Sequence, residues 1–225
     1  MSSARSAILR RVRASLDAKA DDPARLQAAQ GRIADHARQL VPARAQGPAN
    51  DHAALFASFL ESQLATVIEV PEARSVPAAV HAYLMENGLR PSVRLGGDAR
   101  LTAMPWWEEV TGLETLQGAC APNDPNGLSF ALCGIAETGT LVIAAGADNP
   151  VTLAFLPSTH IIIVERGTIV GSYEEAVDIV RLAFGPTQMP RTLNYISGPS
   201  RTADIGGKIV IGAHGPRNLC VMIVG

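Results

Sequence analysis

Aromatic side chains are scarce in this chain, at 4% of its 225 residues. A core must therefore be built mostly from Ala, Val, Ile and Leu. The 47% hydrophobic content is enough for one generous domain, or one domain with a small appendage. Cysteine is also sparse: Cys120, Cys133 and Cys220 are odd in number and form no CxxC. The spacing supports neither a disulfide framework nor a zinc or iron–sulfur site, and a reducing cytoplasm is the expected home. Cys133 and Cys220 stand inside apolar runs, where a free thiol acts as a small hydrophobe. No apolar run reaches the roughly 18 residues of a membrane-spanning helix. The net charge of −2 gives no general reason to expect nucleic-acid binding. A GxGxxG after the first strand, a Walker A sequence, HExxH and GxSxG are all missing, and no metal ligand set is expected. The glycine-rich "RLGGDARL" (94–101) is too weak to mark a phosphate site by itself.

What charge there is lies unevenly. Residues 1–44 hold nine Lys/Arg against four acids, a net of +5, and the remainder holds ten against seventeen, a net of −7. The opening "MSSARSAILRRVRASL" is Arg-rich with no acid before Asp17, a composition like that of an organellar transit peptide. Ile8, Leu9, Val12 and Leu16 nevertheless make an ordinary helical stripe, so a retained amphipathic helix is expected over 3–19. Such a head could meet an acidic surface, its own or a partner's; a solvated helix explains the same charges.

Asp22 before Pro23 is a helix start, although Gly31 weakens that helix. "VPARAQGPAND" has linker composition, which puts a boundary near residue 48: a basic helical extension over 1–48 and a single domain over 49–225. Helices are expected at 51–64, capped by Asp51 or Asn50, and at 75–88, ended by Gly88. Strands are expected at 65–70 and 92–96. Helix alternating with strand argues for an α/β fold, an open, mostly parallel sheet flanked by helices. The stretch 97–127 is less regular, with Trp106 and Trp107 read as covers of a core edge. "LSFALCGIAE" and "TLVIAAG" then read as two strands closely joined through Glu137, Thr138 and Gly139, an antiparallel pair inside the sheet. Asn149 with Pro150 suggests a capped short helix. Residues 160–165 read as a buried strand, and Ser172 with Glu175 has capping-box spacing. "TLNYIS" and "LCVMIVG" read as the last two strands.

Chemistry concentrates near the C-terminus. After "TLNYIS" come Gly198, Pro199, Ser200, Arg201, Thr202, Ala203 and Asp204. A loop entering a short helix at Thr202 would present free N–H groups and partial positive charge to an anion. Gly198 would permit close approach, Ser200 and Thr202 would add hydroxyls, and Arg201 a planar fork for carboxylate or phosphate. Alternatively, Arg201 and Asp204 pair with each other. In "HGPR", His214 and Arg217 flank a turn and could reach the same anion, with His214 also a possible acid or base. Glu137 in "AETGT", beside Thr138, Gly139 and Thr140, could be a nucleophile, a base or a hydroxyl ligand. It could equally be a turn residue accepting backbone N–H bonds. His160, at the start of an apolar run, reads first as a satisfied core histidine. The loops 198–204 and 214–217 are expected to converge with the 137–140 turn on one small anion pocket.

Three stretches carry a resemblance: "GIAETGTLVI", "PSTHIIIVERGTIVGSYEEA" and "YISGPSRTADIGGKIVIGAHGPRNLCVMIVG". Together they resemble the LUD-domain family of the lactate-utilization C (LutC-like) kind, from about residue 128 to the end. The resemblance implies a fold similar to the sugar-phosphate isomerase and CoA-transferase group. It also implies a part in bacterial oxidation of L-lactate to pyruvate, alongside iron–sulfur partner proteins. A related partner carries cysteine clusters that this chain lacks, so the chain resembles the stand-alone component. Two readings are open. One is an accessory subunit that binds partners and a small carboxylate or phosphate. The other is a free-standing enzyme of the CoA-transferase or sugar-phosphate type that uses Glu137. No cofactor is named by these residues.

Overall fold

Runs of β-branched residues that are apolar on both sides need cover on both faces, and the central strands of this protein have it. The computed structural model describes residues 4–16, 22–106, 110–205 and 208–225. It divides into two compact units, Met1–Gln39 and Leu40–Gly225.

The first unit holds α1 (Ala4–Ser15) and α2 (Pro23–Asp35). Asp22 caps α2 as the sequence suggests, its carboxylate accepting the N–H groups of Ala24 and Arg25 at 3.0 and 3.4 Å. Neither helix contains a buried residue, and Ile8, Leu9, Val12, Leu26 and Ile33 are exposed.

The second unit begins upstream of the boundary expected near residue 48. Its first residues form two 3-10 turns, Ala43–Ala45 and Ala49–Asp51, and Ala45 is buried. The Pro and Gly content that resembles a linker here serves these turns, which the His52 imidazole braces, its Nε2 3.1 Å from the Gly47 carbonyl oxygen. The chain then runs through α3 (His52–Ser62), β1 (Thr66–Val70), α4 (Val76–Glu86), β2 (Ser92–Leu95), α5 (Ala99–Thr102) and β3 (Glu114–Gln117). Next come β4 (Asn126–Phe130), β5 (Cys133–Ile135), β6 (Thr140–Ala145), α6 (Thr152–Phe155), β7 (Thr159–Glu165) and β8 (Ile169–Val170). The last elements are α7 (Tyr173–Phe184), β9 (Thr192–Ile196), β10 (Arg201–Ile205), β11 (Lys208–Ile211) and β12 (Asn218–Val224).

Six strands form a wholly parallel sheet in the order β1-β12-β7-β4-β2-β3. Its two faces are read off β7 and β12. Ile161, Ile163, Cys220 and Met222 enter a core shared with Val80, Leu84 and Trp106. Ile162, Val164, Val221 and Ile223 enter a second core with Phe56, Leu60, Leu141 and Ile143. Trp106 is buried and donates its indole N–H to the Leu101 carbonyl; Trp107 lies outside the described residues.

A four-stranded sheet, β8-β5-β6-β9, supplies part of that second core. The expected antiparallel pair is present as β5 and β6, but it belongs to this sheet and not to the parallel one. The run "LSFALCGIAE" breaks at Ala131 and Leu132, so that β4 and β5 lie in different sheets. Both halves are buried, so hydropathy along the run shows no seam. On another side of the second sheet, Ala176 and Val180 of α7 pack with Cys133, Ile135 and Val142. The capping box at the start of α7 is complete: Ser172 Oγ accepts from the Glu175 N–H and the Glu175 carboxylate accepts from the Ser172 N–H.

Two local expectations fail. α6 starts at Thr152 without a side-chain cap, because the Asn149 amide donates instead to the Ala144 carbonyl and closes the preceding turn. And "TLNYIS" and "LCVMIVG" are not successive strands: the antiparallel hairpin β10–β11 stands between them.

Candidate ligand cleft

The hairpin removes the helix N-terminus expected at Thr202. Arg201 and Thr202 pair with Ile211 and Val210, so this segment is a strand and offers no helix N-terminus to an anion. Two residues separate the paired Ile205 and Lys208, and both are glycine, a strong hairpin signal in the sequence. The Asp204 side chain lies outside the described residues.

What does converge is the pair of loops at the base of the hairpin. The Ser200 N–H donates to the Pro216 carbonyl at 2.9 Å, and the Gly212 N–H donates to the Ser200 carbonyl at 2.8 Å. These bonds hold 197–200 against 212–216. Between them lies a cleft of about 220 Å³. Gly198, Ser200 and His214 line it, joined by Ser197, Tyr195, Phe155, Leu219 and His160. His160 and Leu219 are register partners near the starts of β7 and β12. The cleft thus sits at the N-terminal edge of the parallel sheet, opposite the carboxyl edge at which open α/β sheets usually take ligands. The loop does leave the end of a strand, but that strand, β9, runs antiparallel in the other sheet.

His160 is 1% exposed. Its Nε2 lies 3.0 Å from the Ser129 hydroxyl of β4, whereas Nδ1 has no hydrogen-bond partner among the described residues. Desolvation pushes its pKa down from 6.5 to about 3, so the ring is neutral across the physiological range. The expectation of a satisfied core histidine is therefore half met. A polar residue opening the buried "THIIIVE" strand was the only trace of it in the sequence.

The remaining candidates lie in two other places. Arg201 and Arg217 line a neighbouring groove of about 610 Å³ with Leu64, Val210, Ile211 and Asn218; Pro199 is common to both hollows. Arg201 donates to the Gln63 carbonyl. Gly198 makes a close approach, but to the protein itself: a Cβ there would stand 3.0 Å from the Gln63 Cβ.

The 137–140 turn is buried beside the cleft and does not line it. One Glu137 carboxylate oxygen accepts the Tyr173 N–H at 3.1 Å, at the start of α7, and the other lies 3.9 Å from Arg44 Nε. The carboxylate thus meets an unpaired donor of a helix N-terminus, a favourable place for negative charge. Thr138 and Thr140 place their hydroxyls 2.7 Å apart, each 3.1 Å from the Tyr173 hydroxyl. Thr140 also bonds Ser197 at 2.7 Å, which ties this turn to the cleft wall. Gly139 is left-handed (φ 61°), and a Cβ would stand 2.7 Å from Phe59 Cβ. Ser197, Tyr173 and Arg44 carried no recognisable signal in the sequence, since each acquires its role only through a distant partner. No group of three or more His, Cys, Asp or Glu suited to a metal ion occurs among the described residues.

Comparison with known proteins places this geometry. Residues 125–224 match the model of the LUD domain. Lactate utilization protein C of Bacillus subtilis is 34% identical over 141 residues, covering 62% of this chain and 58% of that protein. Its counterpart from Shouchella clausii is 29% identical over 170 residues, covering 73% of this chain and 69% of that one. The matched segment spans about half the length of several of these relatives. In fold, the chain is similar to a DUF162 family protein from Deinococcus radiodurans whose crystal structure is known, with a TM-score of 0.62 and 24% identity over 80% of this chain and 99% of that one. The matched segment runs from β4 to β12 and contains both loops of the cleft, its histidine and the buried turn beside it; over that stretch the chain is similar to the LUD domain.

Proposed function

We propose that this protein is a component of a bacterial L-lactate utilization system, working in the cytoplasm with iron–sulfur partner proteins, and that it binds a small carboxylate in the cleft between 197–200 and 214–216. The observation that carries the reading is the cleft itself: two clamped loops, hydroxyls of Ser197 and Ser200, His214, and a buried imidazole with a spare nitrogen. A cleft of about 220 Å³ is smaller than the roughly 300–1,000 Å³ of drug-sized pockets, as suits a small metabolite. The relatives' names supply the metabolic setting. The rival reading, a free-standing CoA-transferase or sugar-phosphate enzyme with Glu137 as nucleophile, draws less support. That carboxylate is 5% exposed, engages a helix N-terminus, and does not line the cleft.

Two measurements test the proposal. Deleting the gene from its host should abolish growth on L-lactate and spare growth on pyruvate; normal growth on L-lactate would rule out the metabolic assignment. In calorimetry, L-lactate or pyruvate should bind the wild-type protein, and Ser200→Trp, which fills the cleft, should abolish the heat while leaving the melting temperature within a few degrees. Equal binding by the folded variant would move the site elsewhere.

A further inference from the structure

The cleft has an unusual floor. Its walls are largely apolar, from Phe155, Ala154, Ile196 and Leu219, yet a polar ring nitrogen without a partner among the described residues is buried there. An unmade hydrogen bond on a buried group is costly, and a native protein seldom carries one without use. The ring itself is not loose. Ser129 on the neighbouring strand holds Nε2, and the parallel ladder between β4 and β7 sets the distance between them. The ring is thus held by a rigid element, as recognition groups require, while Nδ1 is itself buried, so that a ligand oxygen reaches it by displacing the groups that cover it.

The chemistry of the floor limits what it can meet. A carboxylate driven against a neutral ring in an apolar pocket would lose its water and gain no cation. A hydroxyl or a carbonyl oxygen would cost far less to desolvate and would complete the missing bond. Either tautomer serves. With Nε2 accepting from Ser129, Nδ1–H donates to a carbonyl; with Nε2–H donating to Ser129, Nδ1 accepts from a hydroxyl. The anionic end of the same ligand belongs at the rim, where Ser197 and His214 are exposed to water.

We infer that His160 is the recognition residue for the C2 oxygen of a small 2-hydroxy or 2-oxo acid, bound with that oxygen inward at Nδ1 and its carboxylate outward at the 197–200 and 214–216 rim. The inference rests on the reading of the cleft as a carboxylate site and adds to it the residue that tells a 2-oxygenated acid from a plain one. A site that hydrogen-bonds a substrate oxygen rejects the analogue lacking it far more strongly than an apolar pocket rejects a shape change.

Pyruvate and propionate isolate the difference, since both carry a three-carbon carboxylate and only pyruvate has the C2 oxygen. Calorimetry on the full chain should show pyruvate binding about tenfold tighter than propionate, a ratio expected from one good hydrogen bond. In His160→Phe the ratio should fall to near one, with propionate affinity largely kept. His160→Gln, which retains a neutral donor and acceptor, should restore part of the ratio and covers the case in which the Phe variant fails to fold. A structural role alone would not move that ratio in a folded variant. On protein carrying 15N-histidine, the Nδ1 resonance of His160 should shift on adding pyruvate and stay in place with propionate. Equal affinities in wild type, or a ratio unchanged in either variant, would overturn the role of His160 while leaving the cleft as a carboxylate site. Failure of lactate, pyruvate and propionate all to bind would overturn the cleft reading and this inference with it.

Discussion

At the scale of single residues, the buried imidazole of His160 has a consequence for stability as well as for binding. Its folded pKa, about 3, lies below the ordinary 6.5. The unfolded chain therefore binds a proton between those values that the folded chain refuses. Stability from this group is full above about pH 6.5 and is lost as pH falls toward 3, with a slope on the order of 1 kcal/mol per pH unit. Urea unfolding at pH 7.5 and pH 5.5 should show a larger loss for wild type than for His160→Phe. Parallel losses in the two proteins would mean that the ring is protonated, or wet, in the folded state. Glu137 gives the complementary lesson. Its sequence setting suits a nucleophile and a helix anchor equally, and the Tyr173 N–H at 3.1 Å favours the anchor.

Among the elements, the turn between β5 and β6 is the most constrained. Gly139 combines φ 61° with a contact in which a Cβ would stand 2.7 Å from Phe59 Cβ and 2.8 Å from the Leu60 N. A side chain there meets both backbone strain and the end of α3, so Gly139→Ala should destabilise by about 2–4 kcal/mol. Denaturant midpoints would check it, and a loss below about 1 kcal/mol would show that α3 can move away. The left-handed turn has a structural purpose: the sharp reversal stacks Thr138 on Thr140 and leaves the latter facing Ser197. In this way an element with no atom in the cleft sets the position of one of its walls. β10 shows how element type alters a site. As a strand it sends Arg201 to the Gln63 carbonyl and a separate groove, and the cleft keeps Ser200 alone from that segment's polar cluster.

For the whole molecule, the unit Leu40–Gly225 contains all three buried clusters, while α1 and α2 contain no buried residue. A chain starting at Leu40 should therefore unfold cooperatively, with a melting temperature within about 5 °C of the full chain, because a core and not a helical extension supplies most of a domain's stability. Starting instead at Asn50 should cost much more, since it removes buried Ala45 and the Arg44 contact with Glu137. Equal melting for the two truncations would mean that the 3-10 turns contribute nothing.

What the amino-acid order settled alone was local. Helical spacing and apolar runs placed most helices and strands within a residue or two, and the Asp22 and Ser172 caps were legible because a cap involves residues two or three apart. The α/β class came from the alternation of helix and strand, and the resemblance to the LUD domain from the quoted stretches. The rest was decided by partners far apart in the chain. The division of "LSFALCGIAE" between two sheets, the pairing of β10 with β11, and the parting of Arg201 and Arg217 from His214 all depend on which surface each strand finds to cover it. His160 is the clearest case. Its sequence neighbours mark it as buried, but only β4 brings Ser129 to one nitrogen and only the fold leaves the other without a partner among the described residues. Burial and hydrogen bonding depend on surroundings assembled from the whole chain, and those surroundings turn an ordinary strand histidine into a candidate recognition group.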